Sequence, residues 1–167
     1  MRAIQDFYPN STRTCYGCGP KNRDGYRIRS FREGEETVCR FTPEDVHTAV
    51  PGVVYGGLLA CLVDCHGTAA AAEAAYRAEG RPMDSLPARR FVTGRLTVNY
   101  RRPTPLGVEL VLRARAVEIG ARKVRVAVKV EAGSVLTVEG EVLAVRIPER
   151  WLARLDGGNA AGANVAS

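Results

Sequence analysis

Residues 55–79, YGGLLACLVDCHGTAAAAEAAYRAE, decide the fold. Leu58, Leu59, Leu62 and Val63, followed by Ala69 to Ala72, Ala74 and Ala75, make this stretch apolar on nearly every side of a helix. A helix that is apolar all round belongs in an interior, and its small alanines let other elements come close. Charge enters only at Asp64 in the middle and at Glu73, Arg77 and Glu79 towards the end, before Gly80, Pro82 and Pro87 stop the helix. Upstream, residues 26–31 and 37–41 alternate as strands about a Glu33-Gly34 turn, which predicts a hairpin. Pro43, Pro51 and Gly52 then mark an irregular loop.

Downstream there are only strands. In residues 91–100, Val92, Leu96, Val98 and Tyr100 are expected on one face, and Thr93, Arg95, Thr97 and Asn99 on the other. Strands follow at 108–119, 124–131 and 135–147, and short turns between them predict sequential antiparallel pairing. The fold class is therefore α+β. One long central helix is wrapped by a six-stranded antiparallel sheet, because no other element is available to cover it.

A length of 167 residues, 46% of them hydrophobic, fits one domain with a real core. It divides into a polar surface segment with a CxxC turn (1–24), a single domain (25–155) and a Gly/Ala/Asn tail read as disordered (156–167). No run approaches ~20 apolar residues, so no spanning helix and no membrane partner are expected. Met1 to Asp6 carries no apolar leader, and the five cysteines are an odd number, so the reading is a cytoplasmic protein with reduced thiols. Cys15-x-x-Cys18 has no second ligand pair in line, while a closed zinc site takes four. It is read as a Gly-rich turn into the first strand, and no metal or cofactor is expected.

The net charge of +6 does not define a nucleic-acid surface. Acidic residues interrupt it, and the aromatics do not interleave with the basic residues. Its densest points are Arg89-Arg90 and Arg101-Arg102, which fit a solvated sheet face or a positive rim for an anionic small ligand.

Phosphate-binding Gly loops, HExxH and GxSxG are all missing. Pairing Cys61 or Cys65 with His66 for nucleophilic catalysis is disfavoured, because helix neighbours point in different directions. Two features remain. Gly56-Gly57 open the buried helix, and their bare N–H groups either bind an anion or oxyanion or merely permit a tight turn. Asp64 sits in an apolar helix, where burial raises its pKa towards that of a general base or nucleophile; the alternative is an ion pair across an interface. Gly56 and Asp64 are eight residues apart, about 12 Å along a helix. One small carbonyl cannot touch both from one chain, so joint action requires a homodimer with antiparallel helices.

The segments CYGCGPKNRDGYRIRSF, PGVVYGGLLACLVD and TGRLTVNYRRPTPLG, in that order across residues 15–147, resemble the hotdog-fold acyl-CoA thioesterases of the phenylacetate-degradation type. The resemblance implies hydrolysis of an acyl-CoA thioester by a homodimer, or a dimer of dimers. Gly56 would donate to the thioester carbonyl, with Gly57 assisting. Asp64 would activate water or attack directly, and Thr93 would position the water. Arginines near the dimer rim, from among Arg89, Arg90, Arg101 and Arg102, are expected to hold the CoA phosphates. Tyr55 departs from the His usual before the two glycines; a phenol still donates a hydrogen bond and shapes the pocket. His66 is a candidate to compensate, and Ala49 stands nearest to an Asn found in some relatives. The alternative implied by Tyr55 is a non-catalytic protein of the same fold that binds an acyl-CoA or a related thioester.

Overall fold

The structure is a computed structural model that describes residues 2–161, with side chains through 157. Short 3-10 turns at Ile4–Phe7 and Asn10–Thr12 precede the hairpin β1 (Ser30–Glu33) and β2 (Glu36–Phe41). A small two-stranded ribbon, β3 (Thr48–Val50) and β4 (Val53–Val54), leads into α1 (Gly56–Ala78). Four long strands follow, β5 (Phe91–Tyr100), β6 (Leu110–Ile119), β7 (Lys123–Ala132) and β8 (Val135–Arg146), and α2 (Glu149–Ala161) closes the described chain.

The six-stranded sheet is antiparallel throughout and wraps α1, as expected. Leu58, Leu62, Val63 and Ala69 to Ala72 of the helix are buried against Leu110, Leu112, Val126, Val128, Val138 and Val142 of the sheet. Each fully buried aliphatic side chain of this kind contributes about 1.5–3 kcal/mol. By length and composition alone α1 could cross a bilayer, contrary to the count of apolar residues made above, but 83% of its apolar window is buried inside the protein. Close approach is visible at Gly140, where a Cβ would lie 2.4 Å from Val63.

Strand order departs from sequential pairing: it runs β1-β2-β6-β7-β8-β5. β5 does not turn back onto β6. Its extension keeps to β8, with the amides of Arg101 and Arg102 donating to the Thr137 carbonyl. Pro103 and Pro105 then prevent a tight hairpin. The chain crosses past the loop before α1, where Leu106 N donates to Gly52 O at 3.0 Å and Gly107 N to Pro43 O at 3.1 Å. It thus delivers β6 beside β2 and leaves β5 as a free ten-residue edge.

The N-terminal segment is not simply surface. Ile4, Tyr8 and Cys18 are part of the core. Gln5 is fully buried, donating to Ser30 Oγ (3.0 Å) and accepting from Ser30 N (2.9 Å). Its polar composition concealed this: Gln5 reads as a surface residue until Ser30 is seen to satisfy both ends of its amide. The start of the expected tail is also ordered: α2 continues through Ala161, with Leu152 buried and Asp156 accepting from Ser11 N at 3.0 Å. Residues 162–167 of that tail lie outside the described residues.

Candidate active site

A β-bulge builds the site. Between Thr93 and Arg95, β5 advances two residues while β8 advances one, with Gly94 as the extra residue. A bulge reverses the in-out phase of a strand. Phe91 and Thr93 therefore face inwards before it and Leu96 and Val98 after it, while Val92 is exposed. Strict alternation had put Thr93 on the outer face with Arg95. The bulge turns it onto α1, where its hydroxyl donates to Asp64 Oδ1.

Asp64 is half-buried, and desolvation pushes its pKa up; the Thr93 bond pulls the other way, and the nearby Cys15 charge adds to the rise. The carboxyl opens into a cleft of about 400 Å³ lined by Asp64, Thr68, Arg90, Thr93, Cys15 and Cys65, among others. The arrangement is a desolvated carboxylate, oriented by a hydroxyl, at the wall of a cavity. That suits it to take a proton from water or to attack a carbonyl.

The other candidate lies at the far end of the same helical segment. Tyr55 caps α1 through its carbonyl, which accepts from Leu58 and Leu59. Among the described residues, the Gly56 and Gly57 amides have no hydrogen-bond partner. Two tyrosines frame them. Tyr100 donates to the Gly56 carbonyl at 2.8 Å, and the Tyr55 ring folds over Gly57, where a Cβ would meet it at 2.3 Å. Gly57 is thus required by the tyrosine that replaces the expected His. The contribution of Tyr100 was missed, although its position at the end of a strand just before Arg101-Arg102-Pro103 marked it. Gly56 and Gly57 do not line the Asp64 cleft, as their spacing requires.

Several expected binding residues are employed elsewhere. His66 is fully buried on the opposite side of α1, with Nε2 3.1 Å from the Thr37 carbonyl and Nδ1 2.9 Å from Ser30 Oγ. A carbonyl only accepts, so Nε2 carries the proton and Ser30 donates to Nδ1. Burial lowers the His66 pKa to about 4. It is a structural residue and cannot compensate for Tyr55. Arg89 is held by Glu79 (3.0 Å) and Glu149 (2.9 Å), and Arg101 by Glu139 (2.7 Å). Ala49 lies on the exposed β3. Arg90 is not on the rim at all. It keeps only 6% of its surface exposed, stacks on Tyr8 at 3.4 Å and turns a buried Nη1, unpartnered among the described residues, beside the Asp64 cleft. Arg102 is exposed and makes no ion pair among the described residues.

The CxxC turn also reaches this cleft. Cys65, the helix neighbour of Asp64, meets Cys15 and Cys18 with all three sulfurs within 4.8 Å of one another. Spacing in the sequence could not show a third thiol supplied by a helix about fifty residues away.

A long helix wrapped by one antiparallel sheet, with a half-buried acid and a glycine-opened helix start, defines the hotdog class. Residues 51–139 match the model of the thioesterase superfamily, and the chain belongs to that family. A thioesterase superfamily protein of Shewanella loihica PV-4 is 40% identical, with a TM-score of 0.64 over 86% of this chain and 99% of that one. The PaaI protein of E. coli, from the phenylacetic acid degradation operon, shares the fold at 15% identity and a TM-score of 0.60, over 74% of this chain and 81% of its own. Among curated proteins, acyl-coenzyme A thioesterase THEM4 of Xenopus laevis is 28% identical over 112 residues, 66% of this chain. This chain spans 45% of that relative's length.

Proposed function

We propose that the protein hydrolyses acyl-CoA thioesters in a homodimer whose sites are shared between subunits. The observation that carries this reading is the Asp64–Thr93 pair at the wall of the cleft, in a chain of the thioesterase superfamily. Ionised Asp64 takes a proton from water as the water oxygen bonds to the thioester carbon, or its own oxygen attacks that carbon first. The carbonyl electrons pass to the oxygen, which the Gly56 amide of the other subunit stabilises, with Gly57 and the Tyr55 phenol beside it. With Asp64 as base, collapse of the tetrahedral species breaks the carbon–sulfur bond, releasing the acid and the CoA thiolate, which takes the proton from Asp64; with Asp64 as nucleophile, the same collapse expels the thiolate and leaves an acyl-Asp64 anhydride, which water hydrolyses to the acid and ionised Asp64. Exposed Arg102 is the best placed of the four arginines for a CoA phosphate, since Arg89 and Arg101 are already paired. Five thiols without a disulfide are consistent with a reducing compartment such as the cytoplasm.

Two observations support the dimer. β5 is a free edge with Val92 and Tyr100 exposed, and such an edge is a template for pairing. A single chain, moreover, separates Gly56 from Asp64 by about 12 Å. The test is thiol release from short, long and aromatic acyl-CoAs, with light scattering for mass. Asp64→Ala should abolish turnover while leaving the dimer intact; an active variant overturns the mechanism. Tyr55 favours a second reading, a binding protein. It would be supported by a folded dimer that binds CoA esters and releases no thiol from any of them.

A further inference from the structure

Three cysteines from two distant parts of the chain converge at the edge of the Asp64 cleft. Cys15 and Cys18 come from the N-terminal turn, and Cys65 comes from the middle of α1. The separation of Cys15 and Cys65 sulfurs is 3.9 Å. Thiolates on a tetrahedral zinc at about 2.3 Å stand about 3.8 Å apart, so this edge already has the length a metal requires. Disulfide bonding would need the sulfurs at about 2 Å, and all five cysteines are free.

The turn is built to bring the sulfurs together. A Cβ at Gly17 would lie 2.4 Å from Cys65 Sγ and 2.9 Å from Cys61 Sγ. A Cβ at Gly19 would strike the Arg13 and Cys15 backbone at 2.5 Å. Both glycines are therefore sterically obligatory in Cys15-Tyr16-Gly17-Cys18-Gly19. Gly19 N closes the turn on the Cys15 carbonyl at 2.8 Å. Arg90 supplies a cation nearby: it lines the same cleft, and its charge acts on Cys18. Three thiolate charges are then balanced by a dication and one guanidinium.

We infer that Cys15, Cys18 and Cys65 form a three-thiolate site for Zn²⁺ or a similar thiophilic dication, with its fourth coordination position open to the Asp64 cleft. Neither Cys61 nor Asp64 belongs to the close group, so the fourth ligand is water or a soluble donor such as a thiolate. Binding replaces the remaining S–H bonds by metal–sulfur bonds and releases those protons to solvent. The metal ties the N-terminal turn to α1 and fixes one wall of the cleft. This inference does not depend on thioester hydrolysis, because metal uptake is read without substrate.

The experiment is titration of the full-length, reduced protein with Zn²⁺ against a chromophoric chelator, and with Co²⁺ in the spectrometer. One metal per chain is expected, with thiolate-to-cobalt charge transfer and the intense visible bands of a tetrahedral site. Replacing Cys15, Cys18 or Cys65 singly by Ser should weaken Zn²⁺ binding by at least about a hundredfold. Cys39→Ser, altered on β2 away from the cluster, and Cys61→Ser should bind as the parent does. Since Cys15 is exposed, Cys15→Ser tests the site without disturbing the core. Absence of stoichiometric uptake by the parent protein, or unchanged binding in Cys15→Ser and Cys65→Ser, overturns the inference. Loss of binding in Cys61→Ser overturns the open fourth position. Failure to take metal together with loss of two thiols under glutathione disulfide overturns the metal and makes the cluster a redox pair.

Discussion

Replacing Thr93 by Val keeps the shape of the side chain and removes the one hydrogen bond that orients Asp64. A hydrogen bond to a charged group is worth about 1.5–3 kcal/mol, which is about one to two pKa units. Asp64 is only half-buried, and water in the cleft replaces part of the lost bond, so the lower end applies: about one unit. The sign follows from which form the bond favours. Thr93 donates to the carboxylate and so lowers the pKa that desolvation has raised; without it the pKa climbs further. A base or nucleophile works ionised, so activity rises with pH through this pKa. The acid limb of kcat/KM should therefore move up by about one unit in Thr93→Val. Thr93→Ser, which retains the hydroxyl, should leave it in place. The assay is thiol release from one good acyl-CoA substrate across the acid and neutral range. A limb that stays put in Thr93→Val, with the loss appearing only as a lower plateau, refutes the argument that Thr93 acts through Asp64.

Three further outcomes concern the scaffold. Because the folded pKa of Asp64 is raised, its contribution to stability is greatest below its unfolded pKa and is lost as pH rises through the folded value; Asp64→Asn should melt higher than the parent at neutral pH but not in acid, and a lower melting point at neutral pH contradicts this. His66 is depressed to about 4, so the stability due to its neutral form is complete above about 6.5 and disappears as pH falls through the folded value. The ceiling is about 3 kcal/mol; denaturant unfolding of the parent and His66→Asn should show this acid slope only in the parent, and equal slopes refute it. At Gly67 a Cβ would lie 2.5 Å from Val142; overpacking of about 1–3 kcal/mol should outweigh a helix-propensity gain of about 1 kcal/mol in Gly67→Ala. Adding Val142→Ala should recover part of the loss, whereas strict additivity in the double-mutant cycle refutes the clash.

What was legible from the sequence was what repeats along it. The period of β7 and the all-round apolarity of α1 placed the core, and Asp64 stood out because a lone carboxylate in such a helix is costly. Thr93 was identified by resemblance while its phase was wrong, since one Gly94 bulge inverts a face without changing composition. The order of β5 was hidden because two prolines redirect the chain in space, and pairing distance is not a local property. His66 looked functional two residues from Asp64, yet two steps along a helix turn a side chain by about 200°. That rotation places it in the Gln5–Ser30–Thr37 network instead. Arg90 looked like its neighbour Arg89; the ring of Tyr8 covers one, while Glu79 and Glu149 pair the other.

The two ends of β5 and of the first part of α1 coincide: Thr93 bonds Asp64, and Tyr100 bonds Gly56. In the proposed dimer, a two-fold axis through the middle of the free β5 edge would reverse strand and helix together and set each Gly56 against the Asp64 of the other subunit. Mixed dimers test this proposed sharing directly. Gly56 is the first residue of α1, where Pro is best tolerated and carries no N–H, and a Cβ there meets Tyr100 only at an ordinary 3.5 Å. Gly56→Pro thus deletes the donor with little strain. Neither Gly56→Pro nor Asp64→Ala should be active alone. In a heterodimer of the two, one site joins the intact Gly56 of the Asp64→Ala chain to the intact Asp64 of the Gly56→Pro chain, and the other site has lost both groups. Random re-association of equal amounts gives half heterodimers with one working site in two, so about a quarter of the parent activity should return. No recovery, from dimers shown to exchange subunits, would mean that each chain performs the chemistry alone, and the oxyanion donor would then have to be sought within the Asp64 cleft, where Arg90 Nη1 is the first candidate.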